Sequence, residues 1–176
     1  MILQDLSYKL QENHRSFIDY IHSLKDDEFM FSYNGKWTAG QQLDHICRAV
    51  KPLTLAFGLP NFTLKLLFGK ANRASRTYEG LVKKYKTKLE SGGRATGRFI
   101  PQPITISQRE TKAMALSKSI DKICTQIKEY SEQDLDELIL PHPLLGKLTI
   151  REMLYFTIFH VEHHHLLAMH YLENAE

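Results

Sequence analysis

Cysteine is nearly missing from this chain: Cys47 and Cys124 are the two among 176 residues, and they stand in no CxxC spacing. A disulfide framework is thereby disfavoured, both are expected as buried thiols, and a reducing compartment suits them. A dominant charge of one sign is lacking too, with 23 Lys and Arg against 20 Asp and Glu. The resulting balance of +3 gives no ground for nucleic-acid binding, because the basic residues gather in one stretch instead of spreading along a helix face. The opening "MILQDLSYKLQ" has no basic segment followed by an apolar core and a cleavage site, so a cytoplasmic protein is expected. Long apolar runs are absent as well. "LTLAFGLPNFTLKLLF" is broken by Gly58 and Pro60, and the last helical segment is loaded with histidine, which excludes a membrane span. No segment alternates convincingly with period two. The nearest, "FIPQPITIS", holds two prolines and reads as an extended connector.

What is present is helical. Leu3, Leu6, Leu10, Phe17, Ile18, Ile21 and Leu24 recur at three and four residues and predict a first helix over about 3–24. Three more helix starts carry a Ser or Thr with Glu or Gln three residues on, the pattern in which hydroxyl and carboxyl or amide groups satisfy each other's backbone N–H. These are "TAGQ" at Thr38, "SQRE" at Ser107 and "TIRE" at Thr149, and they predict helices over about 39–56, 108–130 and 150–173, with Pro52 the one internal breaker. Four long helices with apolar faces can bury those faces against one another, so the expected fold is all-α, a four-helix bundle in a single domain spanning 1–176.

About fifty residues, 57–106, separate the second and third of these helices, too many for a plain connection. This crossover contains a short helical pattern, "YEGLVKKYKTKLE", and the glycine-rich "SGGRATGRF", and suggests a crossover topology or a flap over a site. It is also the basic stretch. Lys65, Lys70, Arg73, Arg76, Lys83, Lys84, Lys86, Lys88, Arg94 and Arg98 face only Glu79 and Glu90 within it, the pattern of a solvated loop or of cations gathered at a pocket mouth. Phe57, Phe62, Leu66, Leu67 and Phe68 are expected either to pack on the bundle or to cap an apolar pocket.

Five of nine histidines fall in "HVEHHHLLAMH", residues 160–170. His160 and His164 stand one turn apart on one helix face, the spacing at which two imidazoles can share an ion, and His163 is the rival three residues from His160. A neutral histidine in so apolar a helix can equally be a hydrogen-bonded core residue. A third ligand has to come from a facing helix, and His45, flanked by the apolar Leu43, Ile46 and Val50, is the best candidate. His14 and His22 have polar neighbours, and His142 in Pro-His-Pro reads as a surface turn. Glu162 lies roughly 160° round the helix from His160, so it does not serve as the base of a His-Glu-x-x-His site.

"WTAGQQLDHI", followed far downstream by "GKLTIREMLYFTIFHVEHHHLLAM", resembles the DinB/YfiT-like superfamily of metal-dependent four-helix bundles. The resemblance covers the helical layout of nearly the whole chain. It implies metal ligands at His45, His160 and His164, with Trp37 and Thr38 matching the opening of the second helix. Many relatives continue after the last ligand with Arg-Gly-Gln, where this chain has "HLLAM".

Three neutral imidazoles would leave a divalent ion open positions for water or substrate. Zinc or nickel suits them best, with iron or manganese as alternatives. The resemblance then implies either hydrolysis of a small substrate or transfer of a low-molecular-weight thiol to an electrophile; no cofactor beyond the metal is expected, and the charge pattern and broken apolar runs give no ground for a nucleic-acid or membrane partner. A reading of a different class is a non-catalytic, dimeric stress-response binding module. The apolar circumference of the last helix, with Leu154, Ile158 and Val161 on one side and Phe156, Phe159 and Leu166 on another, makes a homodimer the expectation.

Overall fold

The computed structural model describes residues 1–174. Four long helices dominate: α1 (Leu3–Ser23), α3 (Ala39–Phe57), α6 (Arg109–Gln126) and α8 (Ile150–Glu173), with a short α2 (Asp26–Met30) between the first two. α1 packs against α6 and α8, and α3 against the same two, so the four apolar stripes meet in one core. Leu6, Leu10, Phe17 and Ile21 of α1 are all fully buried, as the three-and-four spacing requires.

Two of the three predicted caps form as written. Thr38 Oγ1 accepts from Gln41 N at 3.0 Å while Thr38 N donates to Gln41 Oε1 at 3.1 Å. At α8 the same pair of bonds joins Thr149 and Glu152. The third box lies two residues earlier than expected. Thr105 N donates to Gln108 Oε1 at 2.9 Å, residues Ile106–Gln108 make a 3-10 turn, and α6 begins at Arg109, leaving Ser107 to pair its hydroxyl with that of Thr105. Thr105 and Gln108 have the same spacing as Ser107 and Glu110. The earlier pair prevails because buried Ile104 ends the extended connector there.

The chain is mostly helical, in keeping with the all-α expectation, and carries one small sheet besides. β1 (Ile139–His142) and β2 (Gly146–Thr149) form an antiparallel hairpin, Ile139 opposite Thr149 and His142 opposite Gly146. Two prolines and burial in adjacent pairs, Ile139 with Leu140 and Leu148 with Thr149, leave it without a period-two signal in the sequence. Gly146, at φ +77°, turns the chain where an L side chain would be strained. α7 (Glu132–Glu137) precedes the hairpin.

The crossover carries α4 (Asn61–Phe68) and α5 (Tyr78–Glu90), and α5 lies on α8. Its basic residues are largely fasteners. Arg73 reaches both carboxylate oxygens of Glu152 at 2.6 and 2.7 Å, Arg76 adds its backbone N–H and guanidinium, and Lys70 pairs with Glu137. Glu152 is wholly buried; burial alone would raise its pKa, but the bonds from Arg73, Arg76 N and Thr149 N prevail and hold it down at about 2. Of the five apolar crossover residues, Phe57 packs in the core and Phe68 against it, whereas Phe62, Leu66 and Leu67 are 60 to 82% exposed; none of the five caps the central cavity. The apolar circumference of α8 is covered mainly from within the chain, by α1, α3, α5 and α7. Leu166 is the exposed large apolar residue on it.

Candidate metal centre

His45 stands in the middle of α3, and His160 and His164 one turn apart on α8, where the two helices face each other. Each is 5% exposed. His160 Nε2 lies 3.2 Å from His45 Nε2 and 3.1 Å from His164 Nε2. Among the described residues these three form the one group of His, Cys, Asp or Glu ligand atoms close enough to hold a metal ion.

The far nitrogens explain why the near ones converge. His45 Nδ1 is 2.7 Å from the carbonyl oxygen of Phe99, and His164 Nδ1 is 2.5 Å from Gln42 Oε1. The Phe99 carbonyl can only accept, and Gln42 turns its amide oxygen to the ring, so both Nδ1 atoms carry the proton and both Nε2 lone pairs are bare. Burial lowers the pKa of all three rings, most for His160 and His164, where the neighbouring imidazoles add to it, so the lone pairs stay unprotonated. The donor set fits an ion: nitrogens 2.0–2.1 Å from a metal would lie about 3.0 to 3.4 Å apart, depending on the angle between them. Buried nitrogens this close otherwise need a shared proton, which two fixed tautomers restrict to His160.

Trp37, just ahead of the Thr38 cap, sets its ring 5.0 Å from that of His45 and 6.1 Å from that of His164. The residue before His45, Asp44, is fully buried and accepts from Arg48 Nε, Lys112 Nζ and Gln102 N at 2.5 to 2.9 Å. Desolvation would raise its pKa, but these partners keep it below the ordinary value and therefore charged. Arg48 also donates to Arg98 O. Through Asp44, His45 and Arg48, one face of α3 clamps residues 98–102, and the glycine-rich segment becomes a wall of the site.

That wall closes a cavity of about 600 Å³ beside His45 and His160. Ile46, Val50, Leu53, Met153 and Phe156 make it apolar, and Gly93 to Thr96 with Arg98 and Phe99 of the crossover line one side of it. Residues of the long connection thus line the cavity. No Asp or Glu lines the cavity among the described residues. Tyr85 of α5 does, its pKa pushed up to about 12 by burial, so it stays a phenol.

Two histidines depart from their expected places. His142 is not a surface residue. Its ring packs 4.3 Å from that of Phe156 and lines the cavity, because the hairpin folds Pro141 to Leu144 against α8. His14 is 2% exposed and lines the same cavity despite its polar neighbours. His22 is exposed and pairs with Glu110, His163 is half-buried against Tyr85 and Phe159 outside the converging group, and His165 packs on Phe17 and Tyr20. Glu162 is exposed, away from the three nitrogens. Gln42 and the Phe99 carbonyl were not foreseen. Gln42, three residues ahead of His45 on the buried face of α3, left a signal; a backbone carbonyl leaves none.

A family model described as the DinB superfamily matches residues 9–168 of this chain. No curated protein matches it.

Proposed function

The chain belongs to the DinB superfamily, and from that membership and the three-histidine group we propose a metal-dependent enzyme acting on a small molecule held in the adjoining cavity. Its four long helices are then the four-helix bundle of the family, with residues 57–106 as the crossover. The observation that carries the proposal is the convergence of three Nε2 atoms while Phe99 O and Gln42 Oε1 hold the opposite nitrogens of His45 and His164. A divalent ion at His45, His160 and His164, zinc or nickel by the softness of imidazole and iron or manganese as alternatives, would supply a Lewis acid that acidifies a water or thiol.

The chain's own residues favour the thiol. Hydrolysis generally uses a protein base to carry protons, and the cavity offers no carboxylate; Tyr85 stays protonated, and His14 and His142, lowered to about 4 by burial, are weak bases. A thiol is acidic enough to ionise without such a base. The apolar lining leaves a thiolate few polar neighbours, and Arg94 and Arg98 among the lining residues give anionic groups of a cosubstrate a place to sit. The proposed reaction is transfer of a low-molecular-weight thiol to a small electrophile.

Metal content of the untagged protein, purified without chelator, tests the first half beside His45→Ala and His164→Ala. Stoichiometric metal in wild type and its loss in both variants are expected. A metal-free wild type would leave the non-catalytic binding module. Consumption of bacillithiol, mycothiol or glutathione with an arylating electrophile tests the second half; ester cleavage without thiol consumption would assign hydrolysis instead.

A further inference from the structure

Asp44 stands next to His45 on α3, yet it takes no part in the converging group and does not line the cavity. It is fully buried, and its Oδ2 accepts from both Arg48 Nε at 2.5 Å and Gln102 N at 2.9 Å. Gln102 sits between Pro101 and Pro103, which have no N–H, so the single backbone donor of that triplet is spent on Asp44. Arg48, held by the same oxygen, donates from Nη1 to Arg98 O at 3.2 Å. The carboxylate therefore grips the chain on both sides of Phe99, the residue whose carbonyl takes the Nδ1 proton of His45. Among the described residues, no other hydrogen bond ties residues 97–103 to a helix.

We propose that Asp44 is a positioning residue of the metal centre: it holds the Phe99 carbonyl against His45 Nδ1, so that metal affinity and the order of the cavity wall rise and fall together. The inference deepens the proposed function, since it takes the three-histidine group as the metal site. The physical reason is linkage. When residues 98–102 lift away from α3, His45 loses the acceptor that fixes its tautomer, and loss of such an outer partner weakens metal binding about 10- to 100-fold. A ligand that prefers one of two states shifts the balance toward it by that same preference, so an ion held by His45 suppresses the lifted state by an equal factor. Occupancy of the centre thereby sets how firmly the cavity is walled.

Zinc affinity by chelator competition and exchange of the Gln102 amide, read in 15N spectra of the full chain, test the two directions. Asp44→Ala is expected to bind zinc at least about tenfold more weakly than wild type. Saturating zinc is expected to slow Gln102 exchange at least about tenfold in wild type and to leave it within about threefold in Asp44→Ala. Glu152→Gln, destabilised at a distance from α3 and from residues 98–102, should keep wild-type affinity within about threefold, which separates positioning from a general loss of stability. Should Asp44→Ala fail to fold, Arg48→Met, which releases Arg98 O, takes its place with an expected loss of at least about fivefold. An affinity in the folded variant close to that of wild type, an equal loss in Glu152→Gln, or a Gln102 amide indifferent to zinc in wild type overturns the inference and leaves the metal centre standing. Zinc binding that survives His45→Ala overturns the metal centre itself, and the coupling with it.

Discussion

Replacing Gln42 by Leu removes the acceptor of the His164 Nδ1 proton and nothing else of comparable size. Gln42 is 1% exposed and its Oε1 is 2.5 Å from that nitrogen, so the N–H would be left buried and unpaired at a cost of about 1–3 kcal/mol. That cost alone is structural and falls equally on metal-free and metal-loaded protein. The orienting role adds a second effect. Without Gln42 the ring is free to turn or to move its proton to Nε2, which abolishes the lone pair aimed at His160 and His45. Loss of such an outer partner lowers metal affinity about 10- to 100-fold, or roughly 1.4–2.7 kcal/mol. Competition with a chromophoric chelator for zinc and for nickel measures affinity, and urea unfolding of both forms measures stability. Gln42→Leu is expected to lose stability in both forms and affinity by at least tenfold, whereas Gln42→Glu, which keeps an acceptor, holds or raises affinity. An affinity within twofold of wild type in Gln42→Leu, alongside its loss in His164→Ala, would refute the reasoning.

Other consequences follow from the same contacts. Glu152 has its folded pKa at about 2 against an ordinary 4.5, a depressed carboxylate, so its contribution is complete above pH 4.5 and is lost as pH falls toward 2. Allowing for partners that are a third exposed, it is worth about 2 kcal/mol; Glu152→Gln should lose that much at pH 7 in urea titrations, and the gap to wild type should close by pH 2–3. Cys47 and Cys124, pushed up to about 12 and about 11 chiefly by burial, should react with a disulfide reagent at pH 8 only after denaturation. Fast labelling of the native chain would contradict their placement. Gly40→Ala puts a Cβ 2.9 Å from the buried Phe29 ring and 3.0 Å from Ile104, so despite the helix propensity gained it should destabilise by about 1–2 kcal/mol in the same urea assay.

Periodicity and caps are properties of neighbouring residues, which is why the four long helices could be read from the chain. The i, i+4 pair of His160 and His164 belongs to that class, and His45 could be matched to it because it lies on the buried face of α3. The hairpin escaped because two prolines and burial in adjacent pairs leave it without a period-two signal.

Sequence alone therefore determined the helices, the nitrogen atoms available for a metal and the family resemblance. Tertiary structure decided which of those atoms are bare. Phe99 lies 54 residues from His45 and Gln42 lies 122 from His164, and a tautomer is set by whichever acceptor the fold brings to the opposite nitrogen. It likewise turned cations of the crossover into fasteners, because Arg73 and Arg76 find Glu152 only when α8 is beside them. His14 and His142, a polar-framed helix residue and a turn residue in the sequence, come to line one cavity only because the fold brings α1 and the hairpin to it.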